Sequence, residues 1–438
     1  MRKVRMNARV TWVMGILASV TLFTPPLPSH AAPRAVAIEG DVAPGTGGVT
    51  FDFFDEPMVN VRGDIVFNAE YGGFSGRGVF LKLGLLIPFP FRGLGLIPIA
   101  VTGRVVPGVG TLSDEVDGPI FNNNSTVGFV YRNISGGPSS AAVFQKKLLG
   151  FLTVIAKQGD PAPGTSGVFD TFDDMSENDL DDLAFIATYT EDGGTTFKTG
   201  VFLKINGGPI IPIVLNGDSL PGGGTQCGTH REAIDGPWVD NGRAVAFIAD
   251  SICGGTVDSG SAFIKRSGMP IEALVLKGAP APPAFGGTIE DVAIGRPGLQ
   301  GIFTHVVGFK AELSGDGPCS NGDRCGVFTK ALGASPVACV LGGAPAPGTI
   351  GTFDDFDAPA SNKSGRLSIE ASVIDDPVVT KGIFACKAGV VTPIALRGDP
   401  KPGTASTFGS DISDASLSDS GLVTFIDTTS PGGVFVGP

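Results

Sequence analysis

Apolar and polar residues alternate in short runs along most of the chain. NVRGDIVFNAE at 60–70 and NKSGRLSIEA at 362–371 each open on a tight turn of the form N-x-x-G and continue as an alternating strand. A period of two marks a half-buried strand. Each such strand follows a Phe-containing run, TFDFFDEPMVN (50–60) or TFDDFDAPASN (352–362). A variable loop then leads to G-[VI]-F, as in GVFLK (78–82 and 200–204), GVFTK (326–330) and GIFAC (382–386). A fourth apolar run, IPIAV (97–101) or TPIAL (392–396), closes the unit. Four strands joined by turns and one loop predict an antiparallel meander.

The units are joined by a recurring phrase. It reads GDVAPGTGG at Gly40, GRVVPGVG at Gly103, GDPAPGTSG at Gly159, GDSLPGGG at Gly217, GAPAPPAFGG at Gly278, GAPAPGTIG at Gly343 and GDPKPGTAS at Gly398. The intervals are 63, 56, 58, 61, 65 and 55 residues. Gly permits unusual backbone angles, Pro fixes φ and Asp bonds backbone N–H groups, which suits a crossover between sheets. One four-stranded sheet cannot cover both of its faces, whereas seven arranged radially cover one another and leave only short edges. The last copy stops after GGVFVGP without a fourth run, and an orphan run, RAVAIEG (34–40), matches TPIALRG (392–398). A solenoid would need polar caps instead of a divided repeat.

The expected fold is therefore all-β: a seven-bladed β-propeller of four-stranded antiparallel blades, its ring closed by an N-terminal strand that completes the last blade. The blades fall at about 41–103, 104–159, 160–217, 218–278, 279–343, 344–398, and 399–438 plus 34–40.

Composition agrees with this pattern. The chain has 66 Gly, 34 Pro and 30 Phe with only 17% charged residues, which suits short strands and turns better than long helices. An apolar share of 42% is enough to fill a core, so the Gly and Pro punctuate a fold and do not signal disorder. At the N-terminus, Arg2, Lys3, Arg5 and Arg9 precede the apolar run VTWVMGILASVTLF and a small-residue site at Ser29-His30-Ala31. That order predicts a secretory signal peptide over 1–31 and a single domain over 32–438. The apolar run is shorter than the roughly 20 residues of a spanning helix. We expect a secreted or periplasmic bacterial protein with no transmembrane segment after signal removal, and a monomer.

Net charge is −12, and loss of the four basic residues takes it to −16, so phosphate backbones are repelled and no nucleic-acid partner is expected. An even count of six cysteines in an exported chain argues for disulfides. Local pairing suggests Cys227 with Cys253 and Cys319 with Cys325, leaving Cys339 and Cys386 to each other or free.

The N-x-x-G turn and following strand (Asn60, Gly63, Phe67; Asn178, Ala184, Phe185) resemble the tandem NxxGxxAF repeat of exported bacterial proteins, over essentially all of 35–438. Ser125 replaces Gly in the second copy, Ile369 replaces Phe in the sixth and Ser418 replaces Asn in the seventh, while the fifth, around LQGIFTHVVGF, is degenerate. The resemblance implies no activity.

Candidate chemistry is sparse. Beyond the leader only His230 and His305 remain, in different blades, which argues against a His-rich zinc site or a Ser-His-Asp triad. Cys227 and His230 make a C-x-x-H spacing that reads better as a disulfide cysteine beside an inner-strand histidine. The densest acidic run, FDTFDDMSENDLDD (169–182), offers Asp170, Asp173 and Asp174 as metal ligands, and calcium is the one cofactor these carboxylates suggest. A solvated acidic rim is the simpler reading. Trp238, Tyr71, Tyr131 and Tyr189 are too few aromatics to encourage a lectin. PGGGT (221–225) lacks the Lys-Ser/Thr of a phosphate loop.

Crossovers and the loops between second and third strands should share one face. The long loops SICGGTVDSGS (251–261) and LSGDGPCSNGDRC (313–325) mark it, and Tyr71, Tyr189, Asp160 and Asp218 are its ligand candidates. On the opposite face, LGLLIPFPFRGLGL (83–96) brings Leu85, Leu86, Ile87, Phe89 and Phe91, which either fold back onto the blade or form a partner patch. The leading reading is a binding or scaffold module for an unknown protein or extracellular ligand, with no identifiable catalytic site. The alternative is a calcium-dependent hydrolase with carboxylates at the channel mouth. Carboxylates converging from different blades would favour the alternative.

Overall fold

The computed structural model describes residues 32–438, apart from 85–94, 114, 192, 194, 229–232, 255–259, 283–285, 295–305, 318, 320 and 321. The alternating runs form seven four-stranded antiparallel sheets, and no α-helix occurs among the described residues. Blade 1 comprises Phe51–Val59, Ile65–Tyr71, Gly76–Lys82 and Leu96–Val101. Blade 3 comprises Val168–Glu177, Leu183–Thr190, Phe197–Lys204 and Ile210–Leu215. Blade 7 takes three strands from the C-terminus, Ile412–Leu417, Val423–Asp427 and Gly433–Gly437. Its fourth is the N-terminal strand Arg34–Ile38, with Arg34 opposite Val436 and Ile38 opposite Gly433. The ring closes as the orphan run predicts.

The repeated Phe residues explain each blade's core. The Phe that ends the N-x-x-G strand faces the Phe of G-[VI]-F across the sheet: Phe67 opposite Phe80, Phe129 opposite Phe144, Phe185 opposite Phe202, and Phe425 opposite Phe435. Their ring centroids lie 5.5–6.0 Å apart, within the range of favourable aromatic pairs. In blade 6, Ile369 opposes Phe384, so the departure from the motif keeps an apolar pair.

The repeated Asn ties blade to blade. Asn178 Oδ1 accepts the N–H groups of Leu180 and Asp182, both at 2.9 Å, which shapes the turn. Its Nδ2 donates across to the carbonyl of Asp240, the equivalent residue of blade 4, at 2.7 Å. The same latch runs from Asn122 to Asn178 O at 2.9 Å and from Asn362 to Ser418 O at 3.0 Å. A second bond runs beside it: Val61, Asn123 and Asp179 N–H donate to Asn123 Oδ1, Asp179 Oδ1 and Asn241 Oδ1 of the following blade at 2.7–3.0 Å.

At the crossovers, the Oδ2 atoms of Asp41, Asp160, Asp218 and Asp399 accept the N–H three residues earlier at 2.8–3.0 Å. Gly159 sits at φ +87°, a conformation that a side chain resists. All six cysteines pair: Cys227–Cys253, Cys319–Cys325 and Cys339–Cys386. The third bond joins the outer strand Val337–Leu341 of blade 5 to Lys381–Lys387 of blade 6.

Candidate functional site

The first strand of every blade lines the ring's axis. Five of them carry Asp at one repeated position, five residues before the latch residue: Asp55, Asp117, Asp173, Asp235 and Asp357. Pairing with the second strand slips there, between Asp55 and Met58, Asp117 and Ile120, and Asp235 and Trp238, so each strand bulges beside its Asp. A bulge re-aims side chains and sharpens the local twist. The residue after the bulge Asp has positive φ in blades 1, 2 and 4: +47° at Glu56, +54° at Gly118 and +37° at Gly236. Asp414 repeats this at +54° in blade 7. Glycine adopts such angles freely, whereas at Glu56 and Asp414 they cost on the order of 1 kcal/mol or more. At Gly236 the Trp238 indole also lies so close that a Cβ would come within 2.4 Å of it.

These bulges surround an axial cavity of about 470 Å³. Its acidic lining is Glu56, Asp174, Asp235, Asp357, Glu370 and Asp414, from blades 1, 3, 4, 6 and 7. Ile120, Met175, Trp238 and Ile294 provide apolar wall, and among the described residues no lining residue is basic. The acids divide by partner. Arg132 bridges Asp117 and Asp173 at 2.7 Å each, neutralising the blade 2–3 side. Glu56 Oε2 accepts the Gly118 N–H at 2.8 Å and Asn68 Nδ2 at 3.4 Å.

Asp174 of blade 3 faces Asp235 of blade 4 within side-chain hydrogen-bonding reach. Burial pushes Asp235 up to about 7, with the charges of Asp174 and Asp250 adding to it. Asp235 itself is exposed, and it lines the cavity. Glu370 is pushed up to about 8, by burial first and then by its hydrogen bond with Asp357. Lys381 Nζ at 2.5 Å and the Asp414 N–H at 3.1 Å oppose that rise from either side.

The sequence-derived candidates are scattered. Tyr71 and Tyr189 are buried inside their blades, with ring centroids 6.1 Å from Phe80 and 6.2 Å from Phe202, and burial raises both phenols. Asp160 and Asp218 cap crossover turns. The trio Asp170, Asp173 and Asp174 turns to three partners: Gln158 at 3.4 Å, Arg132 at 2.7 Å and Asp235. Among the described residues, no group of three or more His, Cys, Asp or Glu could hold a metal ion. His230, His305 and the patch Leu85, Leu86, Ile87, Phe89 and Phe91 lie outside the described residues. Reading by repeat alone passes over Glu56, Asp235, Asp357, Glu370 and Asp414. The available signal was D-x-P-x-x-N, written DEPMVN, DGPIFN and DAPASN, with DGPWVD as a variant.

Fold and channel together define a seven-bladed β-propeller. It is similar to the β-propeller domain of the Trilobed protease from Pyrococcus furiosus, with a TM-score of 0.50 and 8% identity over 88% of this chain and 93% of that one. It is also similar to the Pyrococcus horikoshii acylaminoacyl peptidase, with a TM-score of 0.50 and 7% identity over 89% of this chain, and spans about half (51%) of that protein. At these identities the likeness shows the fold alone. No curated protein matches. Residues 91–435 match the family model described as a family of unknown function, DUF7453, and the chain belongs to that family.

Proposed function

We propose that this protein is an exported, non-enzymatic binding or scaffold module, and that its ligand is a cation held in the axial channel. One observation carries the reading: acids from five blades face a single cavity whose lining, among the described residues, contains no basic residue. A low-dielectric channel lined by one sign of charge concentrates the opposite sign. Export is supported by the leader-like residues 1–31 and by three disulfides, which persist in oxidising compartments. The N-x-x-G latch supports grouping the chain with the exported NxxGxxAF-repeat proteins.

A calcium-dependent hydrolase is the second reading, favoured by carboxylates converging from different blades. Calcium asks for six to eight oxygens around one centre, and among the described residues no group of three or more His, Cys, Asp or Glu could hold a metal ion. The test is the melting temperature in EDTA, in millimolar calcium and with amine-bearing compounds, since a ligand of the folded state alone raises it by mass action. A rise with amines and none with calcium is expected. A rise with calcium reversed by EDTA would transfer support to the hydrolase, and no rise with any cation would overturn the channel reading.

A further inference from the structure

Polar groups are unevenly distributed round the channel, and their placement specifies a ligand. Resting on the channel as the binding site, we propose that its occupant is a linear dication, a diamine or polyamine with ammonium groups at both ends of an apolar chain. One acidic pole is Asp174 with Asp235, at the boundary of blades 3 and 4. The other is Asp357, Glu370 and Asp414, at the boundary of blades 6 and 7. In a ring of seven these boundaries stand three blades apart, nearly opposite. Ile120, Met175, Trp238 and Ile294 line the wall between them and suit methylene groups. A monocation would compensate one pole and leave the other.

A buried amide independently asks for a donor. Asn68 is 2% exposed, its Nδ2 donates to the channel acid Glu56, and its Oδ1 has no partner. It lies eight residues after its latch Asn60, as Glu370 lies eight after Asn362, so it holds in blade 1 the repeat position that Glu370 holds in blade 6, directly behind the lining acid Glu56. A buried acceptor without a donor is costly, and an ammonium carries three N–H donors.

The poles also predict proton release. Asp235 is faced by Asp174 from blade 3 and by Asp250 and the Gly236 N–H from its own blade. Glu370 is faced by Asp357, Lys381 and the Asp414 N–H. Each pole holds a proton near neutrality, so a dication displaces protons as it enters, and affinity rises from pH 6 towards pH 8.

Calorimetric titration of the full chain with putrescine, cadaverine and hexamethylenediamine, against butylamine and hexylamine, tests this. Diamines should bind at least about tenfold more tightly than monoamines of equal length. They should release protons, seen as heats that vary with the ionisation enthalpy of the buffer. Asp235→Asn and Glu370→Gln, each altering one pole, should bring the diamine down to monoamine affinity. Equal affinity of diamine and monoamine would overturn the dication while leaving a cation channel. Tight diamine binding indifferent to both variants would place it elsewhere and also overturn the proposal. No binding of any amine would remove the channel reading itself.

Discussion

Asp235 carries a pH dependence whose sign follows from its surroundings. Its folded pKa is raised from 3.8 to about 7, so the folded state holds the proton more tightly than the unfolded chain. The stability contributed by this group is complete below about pH 4 and is lost as pH rises through about 7. Asp235→Asn keeps the shape and removes the titration. Its melting temperature should exceed that of the parent by on the order of 2 °C at pH 8, with the gap closing towards pH 4. The latch Asn178 makes the opposite kind of prediction. Asn178→Ala strips the cap from Leu180 and Asp182 and removes the cross-blade donor of the Asp240 carbonyl, which keeps the Arg243 N–H of its own turn. Denaturant unfolding should show a loss of about 2–4 kcal/mol. Asn178→Ser should lose roughly half as much, because Ser418 in blade 7 already caps its turn through a hydroxyl, accepting the Leu422 N–H at 3.0 Å.

Between elements, the disulfides separate by what they join. Cys339–Cys386 spans 47 residues and links two blades, whereas Cys319–Cys325 spans six within one hairpin. The chain-entropy relation gives about 4 kcal/mol for the first and about 2 kcal/mol for the second. Replacing each pair by Ala should reproduce that order in denaturant midpoints, and equal losses would show that joining blades confers no advantage. The strands were legible because alternation, Phe spacing and the crossover phrase are local signals. The channel was not, because Glu56, Asp235, Glu370 and Asp414 meet only when five blades share an axis. Asp170, Asp173 and Asp174 were conspicuous for their density, yet the bulge and neighbouring blades turn them to three partners. Tyr71 and Tyr189 illustrate the same limit: the strand end that should carry them to the rim keeps their rings against Phe80 and Phe202.

At the scale of the whole ring, closure depends on five residues at the far end of the chain from their partners. Arg34–Ile38 pairs with Gly433–Gly437, and Glu39 Oε2 accepts the Gly432 N–H at 2.9 Å. The seam with blade 1 adds Thr424 Oγ1 donating to Pro57 O at 3.3 Å, beside the channel residue Glu56. The divided repeat made this closure readable from RAVAIEG alone. Deleting 32–39 would leave Gly433–Gly437 as an unpaired edge, and such edges recruit strands from other chains. The deletion should lower the melting temperature, yield dimers that grow with concentration in sedimentation experiments, and weaken amine binding by loosening the seam between Asp414 and Glu56. A synthetic RAVAIEG peptide should reverse all three by adding back the missing strand. If the deleted protein stayed monomeric and equally stable, the ring would owe its closure to the packing of blade 7 on blade 1, and the strand would merely decorate it.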